Sequence, residues 1–469
     1  MRELIGMEVK DTEGRVYVVK DKVGEGAQGA VYNTENEAFL IKFIHVDDDK
    51  KNYMIKHFKW IMKQRVPKEA RIIIPIAILQ EPFVGYIMKK AKGHESLNKY
   101  LTPPKDSSIG EWYNIQTGGL RKRLEIAASL SKCYRQLHLQ GLCYCDVSPN
   151  NILVAKQQKS IVLIDSDNLT STDSFSPSVL GTPRYIAPEL FSLAKQPNSI
   201  SDTYSFAVIL FELLRLGHPL LGDAILDGPP EDEAEALKGN TVYVDHPVDD
   251  SNRNTMIFPA EFILTEELKD LFDRMFVDGL HNYMKRPTLY EFTSALQKAE
   301  DQLIKCDNSE CQAYYFAQKG HEQICPWCDE KKNEFLSMQF VETTNLIGDF
   351  FENGKIKLGK ITASLILNED VKAIYRGYME PSISQDLDKI IASVKKIDNK
   401  QVVMENCSNK DFWIINKNTR DKGIFKSGEQ RIVKVETENI VVDYNRNIDD
   451  ISAIFGENNR INAIIFTIN

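Results

Sequence analysis

The segment Tyr144-Cys145-Asp146-Val147-Ser148-Pro149-Asn150-Asn151-Ile152-Leu153-Val154 constrains this chain more than any other, because it sets an acid and an amide five residues apart at the mouth of an apolar run. Taken alone, a D-x-x-x-x-N spacing arises often by chance, and the plain reading is a turn ahead of a strand. The flanking sequence narrows the choice. Upstream, Val23-Gly24-Glu25-Gly26-Ala27-Gln28-Gly29-Ala30-Val31-Tyr32 carries three glycines at the G-x-G-x-x-G spacing. Glycine lets a backbone pass close to phosphate oxygens and aim its N–H groups at them. The same spacing opens dinucleotide-binding folds, but a helix should follow there, and Ala30-Val31-Tyr32 continues as a strand. Lys42 then interrupts the apolar run Phe39-Leu40-Ile41-Lys42-Phe43-Ile44; a lone lysine in a strand is usually a solvated edge residue. Downstream, Ile161-Val162-Leu163-Ile164 ends on Asp165-Ser166-Asp167-Asn168, and Gly181-Thr182-Pro183-Arg184-Tyr185-Ile186-Ala187-Pro188-Glu189 follows.

These motifs, in this order over nearly three hundred residues, resemble those of protein kinases. The resemblance implies a two-lobed α+β fold, ATP as phosphoryl donor and magnesium as cofactor. It implies that Gly24, Gly26, Gly29 and Val31 cradle the nucleotide, that Lys42 pairs with its α- and β-phosphates, and that Asp146 orients the attacking hydroxyl and accepts its proton. Asn151 and Asp165 would hold magnesium, a hard ion that prefers oxygen ligands. Asp165 stands where the family has the Asp of D-F-G, with Ser166 and Asp167 in place of Phe and Gly. Asp167 is read as a turn residue in preference to a second acidic ligand. The G-T-x-x-Y pattern leans towards serine/threonine substrates. Glu189 is expected to pair with Arg286, and Asp202 to anchor the catalytic loop.

The departures carry expectations too. The helix between Asp47 and Gln64, with Tyr53, Ile55, Phe58, Ile61 and Met62 as its apolar face, lacks the glutamate that pairs with the family lysine. A partner for Lys42 is then sought in Asp48, Asp49 or Glu69. Lys50, Lys51, Lys56, His57, Lys59 and Lys63 read as a solvated basic face or a docking site for an acidic partner. Tyr144-Cys145 replaces the usual His-Arg, so activity should not require activation-loop phosphorylation. Ser148 replaces a lysine that stabilises the transferred group. Thr170, Ser171, Thr172, Ser174, Ser176 and Ser178 are candidate autophosphorylation sites. D-V-x-P-x-N, I-D-x-D and C-P-W-C together resemble a bacterial branch, the kinase-like proteins of tellurite-resistance-type modules. The rival reading is a pseudokinase scaffold that binds nucleotide and a protein partner without phosphoryl transfer; transfer of AMP or to another acceptor is a third.

Cys306 and Cys311, followed by Cys325-Pro326-Trp327-Cys328, fit a four-thiolate structural zinc site closed to solvent. Two disulfides suit an oxidising compartment, and no secretory signal is read here. His321 is an alternative ligand.

A chain of 469 residues suggests about three domains: a kinase domain over 1–303 (N-lobe 1–92, C-lobe 93–303), a zinc ribbon over 304–332, and a β-rich domain over 340–469. The last is read from apolar runs at Ile361 to Leu367, Gln401 to Met404, Phe412 to Ile415, Arg431 to Val435 and Ile440 to Val442, with a helix at Ser384 to Val394. It is a candidate surface for a protein partner. A net charge of −9 argues against general nucleic-acid binding. No run of eighteen apolar residues is long enough for a membrane span, and a cytoplasmic location is expected. The acidic stretch Gly228-Pro229-Pro230-Glu231-Asp232-Glu233 reads as a solvated loop.

Overall fold

The computed structural model describes residues 4–26, 28–156, 159–171, 181–191, 196–318, 321–343, 360–368, 370–379, 389–416, 418–419, 421–442 and 461–469. The chain divides into two compact units, Met1–Leu296 and Gln297–Asn469.

Alternating apolar residues in the first ninety positions build an antiparallel sheet. Its strands are β1 (Glu8–Lys10), β2 (Val16–Gly26), β3 (Gly29–Thr34), β4 (Phe39–Ile44), β5 (Ala77–Ile78) and β6 (Gly85–Lys89), in the order β1-β2-β3-β4-β6-β5. The two-residue period sends Ile41 and Phe43 into one core with Val19, Ala30 and Ile87, and turns Lys42 to the opposite face. A glycine is required at position 29, where a Cβ would stand 2.1 Å from the Phe43 carbonyl oxygen of β4.

Helix α1 (Lys51–Lys63) buries Met54, His57, Phe58 and Ile61. This corrects the face read from the sequence: Tyr53 and Met62 are exposed, and His57, assigned to the solvated basic face, is 3% exposed. Phe58 packs edge-on against Tyr86 of β6, with ring centroids 5.0 Å apart, and that contact sets the rotation of the helix.

The rest of the first unit is mainly helical. Helix α2 (Gly119–His138) packs against helix α3 (Ser199–Arg215) and against the short strand Ile161–Leu163, which pairs antiparallel with Ile152–Ala155; the two strands present the loops before and after them. Helix α3 is apolar nearly all round and buried from Ser201 to Arg215, and Asn198 and Ser201 close its start in a capping box. The helix Glu266–Asp273 buries Leu268, Leu271 and Phe272, spaced along one face. In the acidic stretch, Pro230–Glu235 is a helix rather than an irregular loop. Proline in the first turn and three acids facing the positive helix end favour it.

The second unit begins with two small hairpins, Leu303–Lys305 with Tyr314–Phe316 and Gln323–Ile324 with Lys331–Lys332. Beyond them a six-stranded antiparallel sheet runs in the order Lys360–Leu367, Leu336–Thr343, Ile461–Ile468, Glu438–Val442, Phe412–Asn416, Lys422–Phe425. A four-stranded sheet runs Val371–Tyr375, Ile390–Lys396, Gln401–Asn406, Gln430–Lys434. Met338, Phe340 and Ile464 of the first sheet share one core with Val394, Met404 and Val433 of the second. The helix expected over Ser384 to Val394 is instead a strand from Ile390 onward; its earlier part lies outside the described residues.

Candidate active site

A cleft of about 560 Å³ runs beneath the sheet of the first unit. Val31, Lys42 and Tyr86 are register partners on three adjacent strands, so one cross-strand row supplies a roof that is apolar at one end and cationic in the middle. Gly24, Val23, Leu40 and Met88 extend the roof, and Leu153, Ile164, Asn151 and Asp165 form the floor. Gly26 faces Gly29 across the β2–β3 turn. A Cβ at Gly24 or Gly26 would meet no atom within 4 Å, which leaves their backbone open to a ligand.

The loop after Cys143 is held from below by Asp202 of α3. Its Oδ2 accepts from the Tyr144 N–H at 2.7 Å and its Oδ1 from the Cys145 N–H at 3.0 Å, which fixes Cys145 in the left-handed region at φ 68°. The Tyr144 hydroxyl donates to the Ile164 carbonyl and ties this loop to the next strand. Asn151 Nδ2 donates to both the carbonyl and Oδ2 of Asp146 at 3.0 Å, and the Thr182 hydroxyl donates to Asp146 Oδ1 at 2.8 Å. The acid and amide five residues apart therefore form one hydrogen-bonded unit. The Cys145 thiol is buried, and burial pushes it well above the usual thiol range, which makes it inert.

Lys42 Nζ lies 2.6 Å from Asp165 Oδ1 and 2.7 Å from Asp167 Oδ2. Asp48, Asp49 and Glu69 do not pair with it; Asp48 binds Lys51 instead. Asp167, read as a turn residue, is 2% exposed and accepts the Tyr86 hydroxyl at 2.6 Å. Burial, with the charge of Asp165, pushes the Asp167 carboxyl up to about 6 against the pull of Lys42. Burial alone would lower the Lys42 ammonium, yet the two carboxylates outweigh it and hold it above its ordinary range. The helix reaches this cluster through His57, whose Nε2 bonds the Asp167 carbonyl at 2.9 Å. Burial pulls the His57 imidazole below its usual range, so Nε2 carries the proton and donates. Asp165 sits at φ 64°, a strained conformation for an aspartate. Asp167, His57 and Tyr86 belong to this cluster although the sequence reading did not assign them to it.

Outside the cleft, Arg286 and Glu189 form a bidentate pair with both N···O distances at 2.7 Å. Arg184 joins Glu212 at 3.0 Å and Glu233 of the acidic helix at 3.2 Å. Among the candidate modification sites, Thr170 and Ser171 form a short strand, whereas Thr172, Ser174, Ser176 and Ser178 lie outside the described residues.

In the second unit, the Sγ atoms of Cys306, Cys311, Cys325 and Cys328 all lie within 4.8 Å of one another. Cys306 and Cys328 are 3.6 Å apart and Cys311 and Cys325 3.8 Å, far too long for disulfides. Four thiolates about 2.3 Å from a tetrahedral ion stand about 3.8 Å apart, so the cluster is compatible with zinc. His321 is exposed and outside this group. Among the described residues no helix is long and apolar enough to cross a membrane.

A family model described as protein kinase domain matches residues 17–298. A dual serine/threonine and tyrosine protein kinase of Pimephales promelas is 36% identical over 198 residues, 41% of this chain and 20% of that protein. The mouse protein of the same description is 32% identical over 192 residues, 41% of this chain and 18% of the relative. A probable serine/threonine-protein kinase of Dictyostelium discoideum is 28% identical over 117 residues, 24% and 22% of the two chains. The matches thus span about a fifth of the length of these relatives. With more than half of its residues covered by the family model, this chain belongs to the protein kinase domain family.

Proposed function

We propose that this chain is a serine/threonine protein kinase that transfers the γ-phosphoryl of Mg-ATP to a protein hydroxyl. The observation that carries this reading is the convergence at one cleft of Lys42, Asp165, Asn151 and the Asn151-bound Asp146. The apolar roof and floor suit an adenine ring, and the open backbone at Gly24 and Gly26 suits phosphates. Lys42 binds the phosphates. Asp146, steadied by Asn151 and Thr182, orients the attacking hydroxyl and takes its proton. The Asp165 carboxylate and the Asn151 amide oxygen are the hard donors that would hold magnesium, which supplies charge neutralisation on the phosphates. In this reading the sheet with α1 and the helical region below it are the two lobes, and the second unit is a zinc ribbon followed by a β-rich domain that binds a protein partner. The four cysteines take one structural zinc, and free thiols suit a cytosolic location. The bacterial, tellurite-resistance-type branch is supported by the three quoted phrases alone.

The experiment is phosphoryl transfer from labelled Mg-ATP by the full chain, to itself and to a generic protein substrate, with mass spectrometry of the products. Label on serine or threonine that Asp146→Ala abolishes is expected. Nucleotide binding without label would replace the kinase with a pseudokinase scaffold, and an AMP mass shift would replace it with a nucleotidyl transferase.

A further inference from the structure

We infer that Asp167 is the positioning residue for Lys42, taking the place of the missing helix glutamate, so that the ion pair organising the phosphate site is built wholly from β4 and the turn after Ile164. The inference rests on the kinase reading above.

Two carboxylates flank Lys42, at 2.6 and 2.7 Å, yet they face different surroundings. Asp165 is 26% exposed at its side chain and lines the cleft. Asp167 is 2% exposed, is absent from the cleft wall, and has its other oxygen taken by Tyr86 Oη at 2.6 Å. A carboxylate that faces the cleft is available to a cation arriving with the nucleotide; one sealed behind a lysine and a tyrosine is not. If Asp165 were committed to a divalent ion, Lys42 would lose that partner and its ammonium would be repelled by the added charge. Asp167 is then the only one of its two carboxylate partners left to hold Nζ at the phosphates. In this arrangement α1 makes no ion pair with Lys42. Its link is the neutral hydrogen bond from His57 Nε2 to the Asp167 carbonyl, which fixes the backbone of the turn and leaves the carboxylate free for Lys42. Rotation of the helix therefore acts on the lysine anchor only through this backbone bond and not through an ion pair of its own.

The sign of one measurement separates an anchor from a bystander acid. ATP binding is measured calorimetrically on the full chain in EDTA, so that no metal bridges the phosphates. Removing an acid near phosphates should strengthen metal-free binding by lowering repulsion, and Asp165→Asn is expected to do so. Asp167→Asn should weaken it about tenfold or more, the worth of one hydrogen bond to a charged group, because Lys42 swings to Asp165. With magnesium present, Asp167→Asn should raise the KM for ATP more than it lowers kcat and leave the magnesium requirement unchanged, while Asp165→Asn raises that requirement. Should Asp167→Asn fail to fold, Tyr86→Phe carries the test, since it frees one side of Asp167 and should weaken metal-free binding in the same direction. Unchanged or tighter metal-free binding by the folded variant, or a shifted magnesium requirement, overturns the anchoring role alone. No ATP binding by the unsubstituted chain overturns the kinase reading and the anchor with it.

Discussion

Asp202→Ala should unfasten the loop that carries Asp146. In the folded chain one carboxylate, 1% exposed, accepts two backbone N–H groups, from Tyr144 at 2.7 Å and Cys145 at 3.0 Å. Each bond to a charged acceptor is worth about 1.5–3 kcal/mol, so losing both removes about 3–6 kcal/mol. Letting Cys145 relax from φ 68° returns about 1–2 kcal/mol of backbone strain. The net, about 3 kcal/mol, corresponds to a hundredfold change or more in local opening. Amide hydrogen exchange on a peptide containing Tyr144 and Cys145, followed by mass spectrometry, reads this directly. Exchange should quicken about a hundredfold there while the second unit keeps its protection. Asp202→Asn should fall between, since its amide keeps one acceptor oxygen and turns a donor towards the other N–H. Phosphoryl transfer should drop with the loop's order while ATP binding persists. An increase in exchange below about tenfold for Asp202→Ala would mean that the packing of Tyr144, not the carboxylate, fixes the loop.

The cysteine cluster predicts one zinc per purified chain, and Cys325→Ser or a chelator should lower the melting temperature of the second unit; less than one zinc in the unsubstituted protein would refute the four-thiolate site. Buried His218 accepts the Leu220 N–H at Nδ1 and donates from Nε2 to the Arg184 carbonyl, and burial pulls it down to about 3. Because the folded value is depressed, stability is fully present above about pH 6.5 and is lost as pH falls towards 3. This one group removes about 2 kcal/mol between pH 7 and 5. His218→Asn should flatten that fall, and denaturant melts with the same pH slope as the parent chain would refute the assignment.

The order of the motifs and their resemblance to protein kinases made Lys42, Asp146, Asn151 and Asp165 visible as candidates: Lys42 interrupts an apolar strand, and the other three sit in loops beside apolar runs. Asp167 was hidden by locality. An Asp-Ser-Asp-Asn string scores as a turn, and nothing in it reveals that Lys42 and Tyr86, each many residues away, close over the second acid. A usable signal was present: a lysine without a helix glutamate beside an unexplained aspartate. His57 was missed because hydrophobic patterning counts histidine as polar, whereas a neutral imidazole with one backbone bond is easily buried. In the second unit the runs after residue 360 were readable, but Leu336–Thr343 and Ile461–Ile468 were not singled out. Ile391, Ala392 and Val394 suit a strand or a helix until their neighbours decide.

The placement of Ile461–Ile468 has a consequence for biosynthesis. This strand lies between Leu336–Thr343 and Glu438–Val442, with Leu336 opposite Ile468. Pairing across so much intervening chain is slow, since loop closure must be met before the ladder rewards it. Without that strand, Leu336–Thr343 and Glu438–Val442 each present an open edge that the inserted strand covers. Such edges recruit other chains. An intermediate lacking this strand is therefore more aggregation-prone than one that holds it, and insertion of Ile461–Ile468 is what ends that exposure.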